Sequence, residues 1–233
     1  MNKEEFIKET NKLGIKLDSI TQFKLEEFYK ILKEENTKYN LTRIVNEEDV
    51  YLKHFYDSLT ITKIIDIENQ SICDLGSGAG FPGMVIAICF PNTYITLIES
   101  NNKKCKFLEL VKNNLKLKNV TIINERVEDY AKTNREIFDI VTARAVAPVK
   151  HLLEYGTPLV KVDGYFIAMK ANIENELENI NNYYKKLEIE EENRVVFKLP
   201  VENSIRTLIK YQKKNITNIK YPRKYSEIKK KDI

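Results

Sequence analysis

Apolar positions recur at two different periods along this chain, and the period changes near residue 70. Over residues 21–39, Leu25, Phe28, Tyr29 and Leu32 fall at i, i+3, i+4 and i+7, one face of a helix with Thr21 as its N-cap. Asn46, with Asp49 three residues on, predicts a second helix running through His54 to about Ile61. No strand pattern occurs before residue 70, and residues 1–5 read as a polar helix start. Beyond 70, short β-branched runs at 71–75, 94–98, 120–123, 139–143 and 165–169 alternate with helical runs at 82–90, 103–115 and 149–160. A turn at Asp163-Gly164 precedes the last of these strands. Such alternation implies right-handed βαβ units and a parallel sheet. A polar helix over 172–186 and strands at 194–199 and 204–211 would then add an antiparallel edge. The predicted fold class is α/β, a Rossmann-like, doubly wound, mostly parallel sheet. It is divided into a helical cap (1–68), an α/β domain (69–211) and a basic tail (212–233).

Composition narrows the class without changing the fold. With 42% hydrophobic and 31% charged residues over 233 positions, the chain has the profile of an ordinary globular protein able to bury a full core. No segment approaches the roughly 18 uninterrupted apolar residues of a membrane span, and no secretory signal opens the chain, so cytoplasm is expected. Cys73, Cys89 and Cys105 form no CxxC pair and read as buried free thiols, so no metal is expected. The net charge of +4 is uneven. Residues 210–231 hold nine Lys/Arg against the single acid Glu227, either a grip on phosphates or a solvated tail.

The chemistry concentrates at Asp74-Leu75-Gly76-Ser77-Gly78-Ala79-Gly80-Phe81-Pro82-Gly83, between a strand and a helix. Glycines belong there because the chain turns sharply and its backbone must approach a ligand. A P-loop is excluded, since no Gly-Lys-Ser/Thr follows. Gly78-x-Gly80-x-x-Gly83 formally matches a dinucleotide fingerprint, with Glu99 at about the distance of a ribose-binding acid. Two acids favour S-adenosylmethionine (AdoMet) instead. Asp74 would repel a pyrophosphate and attract an ammonium, and Glu99, ending the next strand, can accept from both ribose hydroxyls. An acid, GxGxG and a second-strand acid are the pattern of class I AdoMet-dependent methyltransferases.

Further motifs sharpen this. Tyr39-Asn40-Leu41-Thr42, His54-Phe55-Tyr56-Asp57-Ser58, the glycine loop, Arg126-Val127-Glu128, Ala143-Arg144-Ala145 and Met169-Lys170 together make the chain resemble the bacterial 16S ribosomal RNA guanine-N(7) methyltransferases, once called glucose-inhibited division protein B. The resemblance covers nearly the whole length. It implies cofactor contacts at Gly76, Phe81, Val127, Glu128 and Arg144, to which the loop reading adds Asp74, Gly78 and Glu99. It also implies 16S rRNA in the small ribosomal subunit as partner; no stable protein partner is predicted. Relatives carry a basic YPRKxGxPxK segment near the C-terminus; here Tyr221-Pro222-Arg223-Lys224 is kept but the Gly/Pro turn is not.

What is absent also informs. There is no Pro-Cys pair for pyrimidine carbon-5 methylation and no Asp/Asn-Pro-Pro-aromatic strip for an exocyclic amine. Nitrogen-7 of guanine has an in-plane lone pair and no proton, so direct in-line transfer needs no general base. Arg144 is the candidate catalytic residue, orienting the base by donating to oxygen-6, with a structural ion pair as the alternative. His54, Asp57 and Ser58 either line the acceptor pocket or anchor their helix. Glu128 and Asp129 also suit a helix N-terminal turn. Arg43, His54, Arg126 and Lys170 are candidate RNA contacts, while His151 reads as a helix-surface histidine. The alternatives are a small-molecule methyltransferase, a non-catalytic RNA-binding protein and a dehydrogenase.

Overall fold

The computed structural model describes residues 1–144, 147–171, 173 and 176–233. Its centre is a seven-stranded sheet of β1 (Ser71–Leu75), β2 (Tyr94–Ile98), β3 (Val120–Ile123), β4 (Phe138–Arg144), β5 (Val160–Lys170), β6 (Ile189–Lys198) and β7 (Ile205–Lys213), in the order β3-β2-β1-β4-β5-β7-β6. Strands β1 to β5 run parallel, and β7 lies antiparallel between β5 and β6. Strand order reverses at β1, whose neighbours are β2 and β4, which opens a crevice at its carboxyl end where doubly wound sheets bind ligands.

Alternation along the strands sorts side chains onto two layers. Ile72, Leu97, Ile140, Met169 and Leu208 pack with the N-terminal helices and with the helices Gly83–Cys89 and Asn102–Asn114. Cys73, Ile98, Val141, Phe166 and Ile209 pack with Val149–Gly156 and Ile180–Leu187 on the other face. The helical N-terminus is therefore half of the core rather than an appendage. Phe28 of helix Ser19–Tyr39 stacks on Phe55, Phe81 and Phe107.

Several boundaries differ from expectation for local reasons. Helix Ser19–Tyr39 is capped by Asp18, not Thr21. The Asp18 carboxylate accepts the Thr21 N–H at 2.7 Å, and a negative cap also meets the helix dipole. Asn46 does cap its helix, but 50–56 then widens to a π-helix before tightening to 3-10 at Thr60–Lys63. Helix Val149–Gly156 stops before a 3-10 turn containing Pro158, and β5 begins at Val160. Asp163-Gly164 is consequently not a turn before a strand but an irregularity within one, between the pairs Phe138–Val160 and Ile140–Tyr165. The polar helix expected over 172–186 is seen as Ile180–Leu187; Asn172, Glu174 and Asn175 lie outside the described residues, as do Ala145 and Val146.

Residues 212–233, expected as a tail, fold back onto the molecule. Tyr221 and Ile228 are buried, and Arg135 donates to the carbonyls of Thr217 and Tyr221 at 2.6 and 2.7 Å. Among the described residues no helix is long and apolar enough to cross a membrane.

Candidate active site

The glycine loop leaves β1 with Gly76 and Ser77 both donating to the Ile98 carbonyl, at 2.8 and 3.2 Å. Gly76, Gly78 and Gly80 have φ of +64°, +59° and +93°, a region glycine enters without strain. The acids on either side hold this shape. Asp74 Oδ2 accepts the Gly83 N–H at 2.8 Å, and Glu99 accepts the N–H groups of Gly78 at 3.0 Å and Asn101 at 2.8 Å. A side chain at Gly83 would collide with Asp74 and Leu97. Asp74 is fully buried behind the loop, and its Oδ1 has no partner among the described residues. Burial pushes its carboxyl up to about 7, against the opposing pull of the Gly83 N–H and Arg144.

Two cavities open at this end of the sheet and share Gly76 and Arg144. The larger, about 750 Å³, is bounded by Glu99, Val127, Glu128, Leu152 and Tyr155. The smaller, about 380 Å³, lies between the N-terminal helices and the ends of β4, β5 and β7. It is lined by Thr42, His54, Phe81, Lys170 and Arg206, with Asp57 beside them.

Arg144, at the end of β4, forms the partition. Its guanidinium donates to the Lys53 carbonyl at 2.9 Å and to Asp57 Oδ2 at 3.3 Å, meets His54 Nδ1 at 3.2 Å, and sits 5.4 Å above the Phe81 ring. Asp57 is shared, because Arg206 Nε donates to both its oxygens at 3.0 and 3.1 Å. A guanidinium only donates, so His54 Nδ1 accepts and its Nε2–H is directed to Thr42 Oγ1 at 3.0 Å. Burial and the neighbouring Arg144 charge lower the imidazole pKa to about 3, so His54 is neutral. Its ring stacks on Phe81, 4.1 Å between centroids. Thr42 reaches His54 because Asn40, at φ +50°, ends helix Ser19–Tyr39 in the left-handed region and turns Leu41 and Thr42 toward the cavity.

The expected site residues thus divide. Glu99, Val127 and Glu128 line the larger cavity with Arg126, which the sequence suggested for RNA but which stands 3.8 Å from Glu128. Phe81, expected beside a cofactor, lines the smaller cavity. Gly78 lines that cavity too. His54 and Asp57 converge on Arg144, whereas Ser58 is buried and donates to the His54 carbonyl. Lys170 is tied to the Ala147 carbonyl at 2.8 Å and to Glu176 at 2.9 Å. Arg43 is exposed, between two residues of the smaller cavity's lining. Other lining residues were missed. His151 lines the larger cavity rather than open surface, and Arg206 enters the smaller one. For Arg206 the strand register carried a signal, since it shares a face of β7 with the buried Leu208.

Comparison with known proteins agrees with this architecture. The family model described as rRNA small subunit methyltransferase G matches residues 21–208. The protein named ribosomal RNA small subunit methyltransferase G from Bacillus subtilis (strain 168) is 44% identical over 228 residues, 96% of this chain and 95% of its own length. The protein of the same name from Mesoplasma florum is 46% identical over 206 residues, covering 88% and 86%. Among solved structures, M. jannaschii TYW2 in complex with AdoMet superposes with a TM-score of 0.58 at 17% identity, over 73% of this chain and 79% of that one. A SAM-dependent methyltransferase from Aquifex aeolicus gives 0.55 at 13% identity, over 77% and 97%. These structural likenesses establish the class I methyltransferase fold. With the family model spanning most of the chain, the protein belongs to the rRNA small subunit methyltransferase G family.

Proposed function

We propose that the protein transfers a methyl group from AdoMet to nitrogen-7 of a guanine in 16S rRNA of the small ribosomal subunit, in the cytoplasm. The observation that carries this reading is the pair of unlike cavities meeting at Arg144 and Gly76. The larger has acids positioned for hydroxyl and amine donors, and the smaller has arginines and apolar walls suited to an unstacked base. The residues of the larger cavity fit AdoMet. Glu99 has lone pairs left for ribose hydroxyls, Val127 and Glu128 bound the adenine end, and the Gly76 backbone, on the wall of both cavities, allows close approach. Asp74, whose Oδ1 has no partner among the described residues, lies behind the loop as a hydrogen-bond acceptor for the amino acid end. When bound, AdoMet supplies an electrophilic methyl on its sulfonium.

The chain's own part is positioning. Arg144 is the candidate catalytic residue, held by Lys53, His54 and Asp57 so that its fork faces the acceptor side, where a donor to guanine oxygen-6 leaves nitrogen-7 free. Holding both reactants in line is worth several kcal/mol. Neither nearby titratable group is disposed as a base. His54 is neutral with Nδ1 turned to Arg144, and Asp57 is shared between two arginines. That arrangement suits an acceptor that carries no proton. Arg43 and Arg206 are the proposed phosphate contacts, with Lys170 and His54 acting from within the cavity wall.

The test is tritiated methyl transfer to small subunits lacking the modification, followed by mapping of the labelled base. Label on a guanine nitrogen-7 of 16S rRNA is expected; label elsewhere, or none, overturns the assignment. Thermal shift separates the cofactor classes beforehand. AdoMet and S-adenosylhomocysteine are expected to stabilise and NAD is not.

A further inference from the structure

The larger cavity is not closed by the sheet and its crossover helices alone. Its outer wall includes Tyr225 and Lys229, from the last nine residues of the chain, across from Glu99 and Glu128. This segment is anchored in place. The Arg223 side chain donates to both oxygens of Glu154 at 2.8 and 2.7 Å, its backbone N–H adds a third bond at 3.0 Å, and the Glu154 side chain is completely buried. Farther on, Ile228 enters the core, and Asp232 accepts from Lys150 at 2.7 Å and Tyr183 at 3.0 Å. Between these anchors Tyr225 is 40% exposed. Two cations attend its ring, with Arg126 at 5.5 Å and Lys229 at 4.6 Å from the centroid. Arg126 stands between Glu128 and this ring, and so joins the end of β3 to the C-terminal segment across the cavity mouth.

We propose that Tyr225 is a cofactor-contacting residue, its ring forming the outer wall of the AdoMet cavity at the end bounded by Val127 and Glu128, with Arg126 and Lys229 holding that ring in place. The proposal rests on the reading that this cavity takes AdoMet. An aromatic face held rigidly at a cavity mouth is what a purine base uses for stacking. It also gives Arg126 a role distinct from a phosphate contact, and it makes the C-terminal segment part of the cofactor site.

The experiment is calorimetric titration with S-adenosylhomocysteine and with 5′-methylthioadenosine, for the wild type and for Tyr225→Ala, Tyr225→Phe and Glu99→Ala. Tyr225→Ala is expected to raise Kd for both ligands about tenfold, the size of one lost base–aromatic stack. Tyr225→Phe, which keeps the ring, is expected to stay within about twofold of wild type. The melting temperature of the ligand-free protein should hardly move in either variant, because the ring is not core. Wild-type affinity in Tyr225→Ala, with binding lost in Glu99→Ala, overturns the role of Tyr225 and leaves the cofactor reading standing. A drop in Tyr225→Phe as large as in Tyr225→Ala overturns stacking. Failure of the wild type to bind either ligand overturns the cofactor reading and this inference with it.

Discussion

Asp74 shows how one side chain links loop geometry to pH. Its carboxyl is pushed up to about 7, chiefly by burial. An aspartate in the unfolded chain loses its proton near pH ~3.9. Between those two values the folded state binds more protons, so this group's contribution to stability falls as pH rises from about 4 to about 7 and is level above. Asp74→Asn keeps an oxygen for the Gly83 N–H and removes the slope. Its melting temperature should exceed that of the wild type by more at pH 8 than at pH 5, and an equal difference at both would mean an ordinary carboxyl. Arg144 serves three acceptors with one rigid fork, which a lysine cannot do. Single-turnover methyl transfer by Arg144→Lys is expected to fall about 100-fold; a wild-type rate would remove Arg144 from the orienting role. Both residues stood out in the sequence, Asp74 from its place before the glycines and Arg144 from its family motif. Their partners were not, since nothing in the spacing of Arg144 points to Asp57, 87 residues away.

At the scale of elements, the helical stretch 47–63 is joined to the sheet through Asp57. Its carboxylate bridges Arg144 on β4 and Arg206 on β7, all three side chains being less than one-fifth exposed. Asp57→Ala would remove the carboxylate held between two facing cations, so a loss on the order of 3 kcal/mol is expected in urea denaturation. The double variant Asp57→Ala/Arg206→Ala should recover part of it, and simple additivity of the two single losses would mean that the bridge is not a unit. The Asn46 capping signal predicted a helix here, running to about Ile61, but not its widening to a π-helix over Val50–Tyr56. Along this stretch, His54 and Asp57 converge on Arg144, while Ser58 is buried and donates to the His54 carbonyl.

For the whole molecule, the nine basic residues of 210–231 are not equivalent. Lys213 is completely buried and donates to Glu136 at 3.1 Å and to the carbonyls of Thr157 and Val160 at 3.0 and 2.8 Å. Arg223 is committed to Glu154, whereas Lys230 and Lys231 are exposed. Lys213→Met is expected to cost stability, about 3 kcal/mol, without altering the salt dependence of RNA binding. Lys230→Ala/Lys231→Ala should leave stability alone and reduce the slope of log K against log salt by about 1.5. An unchanged slope in that double variant would show that these lysines do not meet phosphate.

By itself the sequence determined the order of strands and helices, the glycine turn between two acids and the family. These are local properties: side-chain period, backbone freedom at glycine and motif identity act over a few residues. Only the tertiary structure decided which cavity each side chain enters. Phe81 and Glu99 both lie beside the glycine loop yet line different cavities, because a helix and a strand of the sheet separate them along the chain. Arg206 joins Asp57 across 149 residues, and Tyr225 meets Arg126 at the mouth of the larger cavity. Charged and aromatic side chains find such partners through the strand order that brings them to one end of the sheet, which no spacing along the chain records.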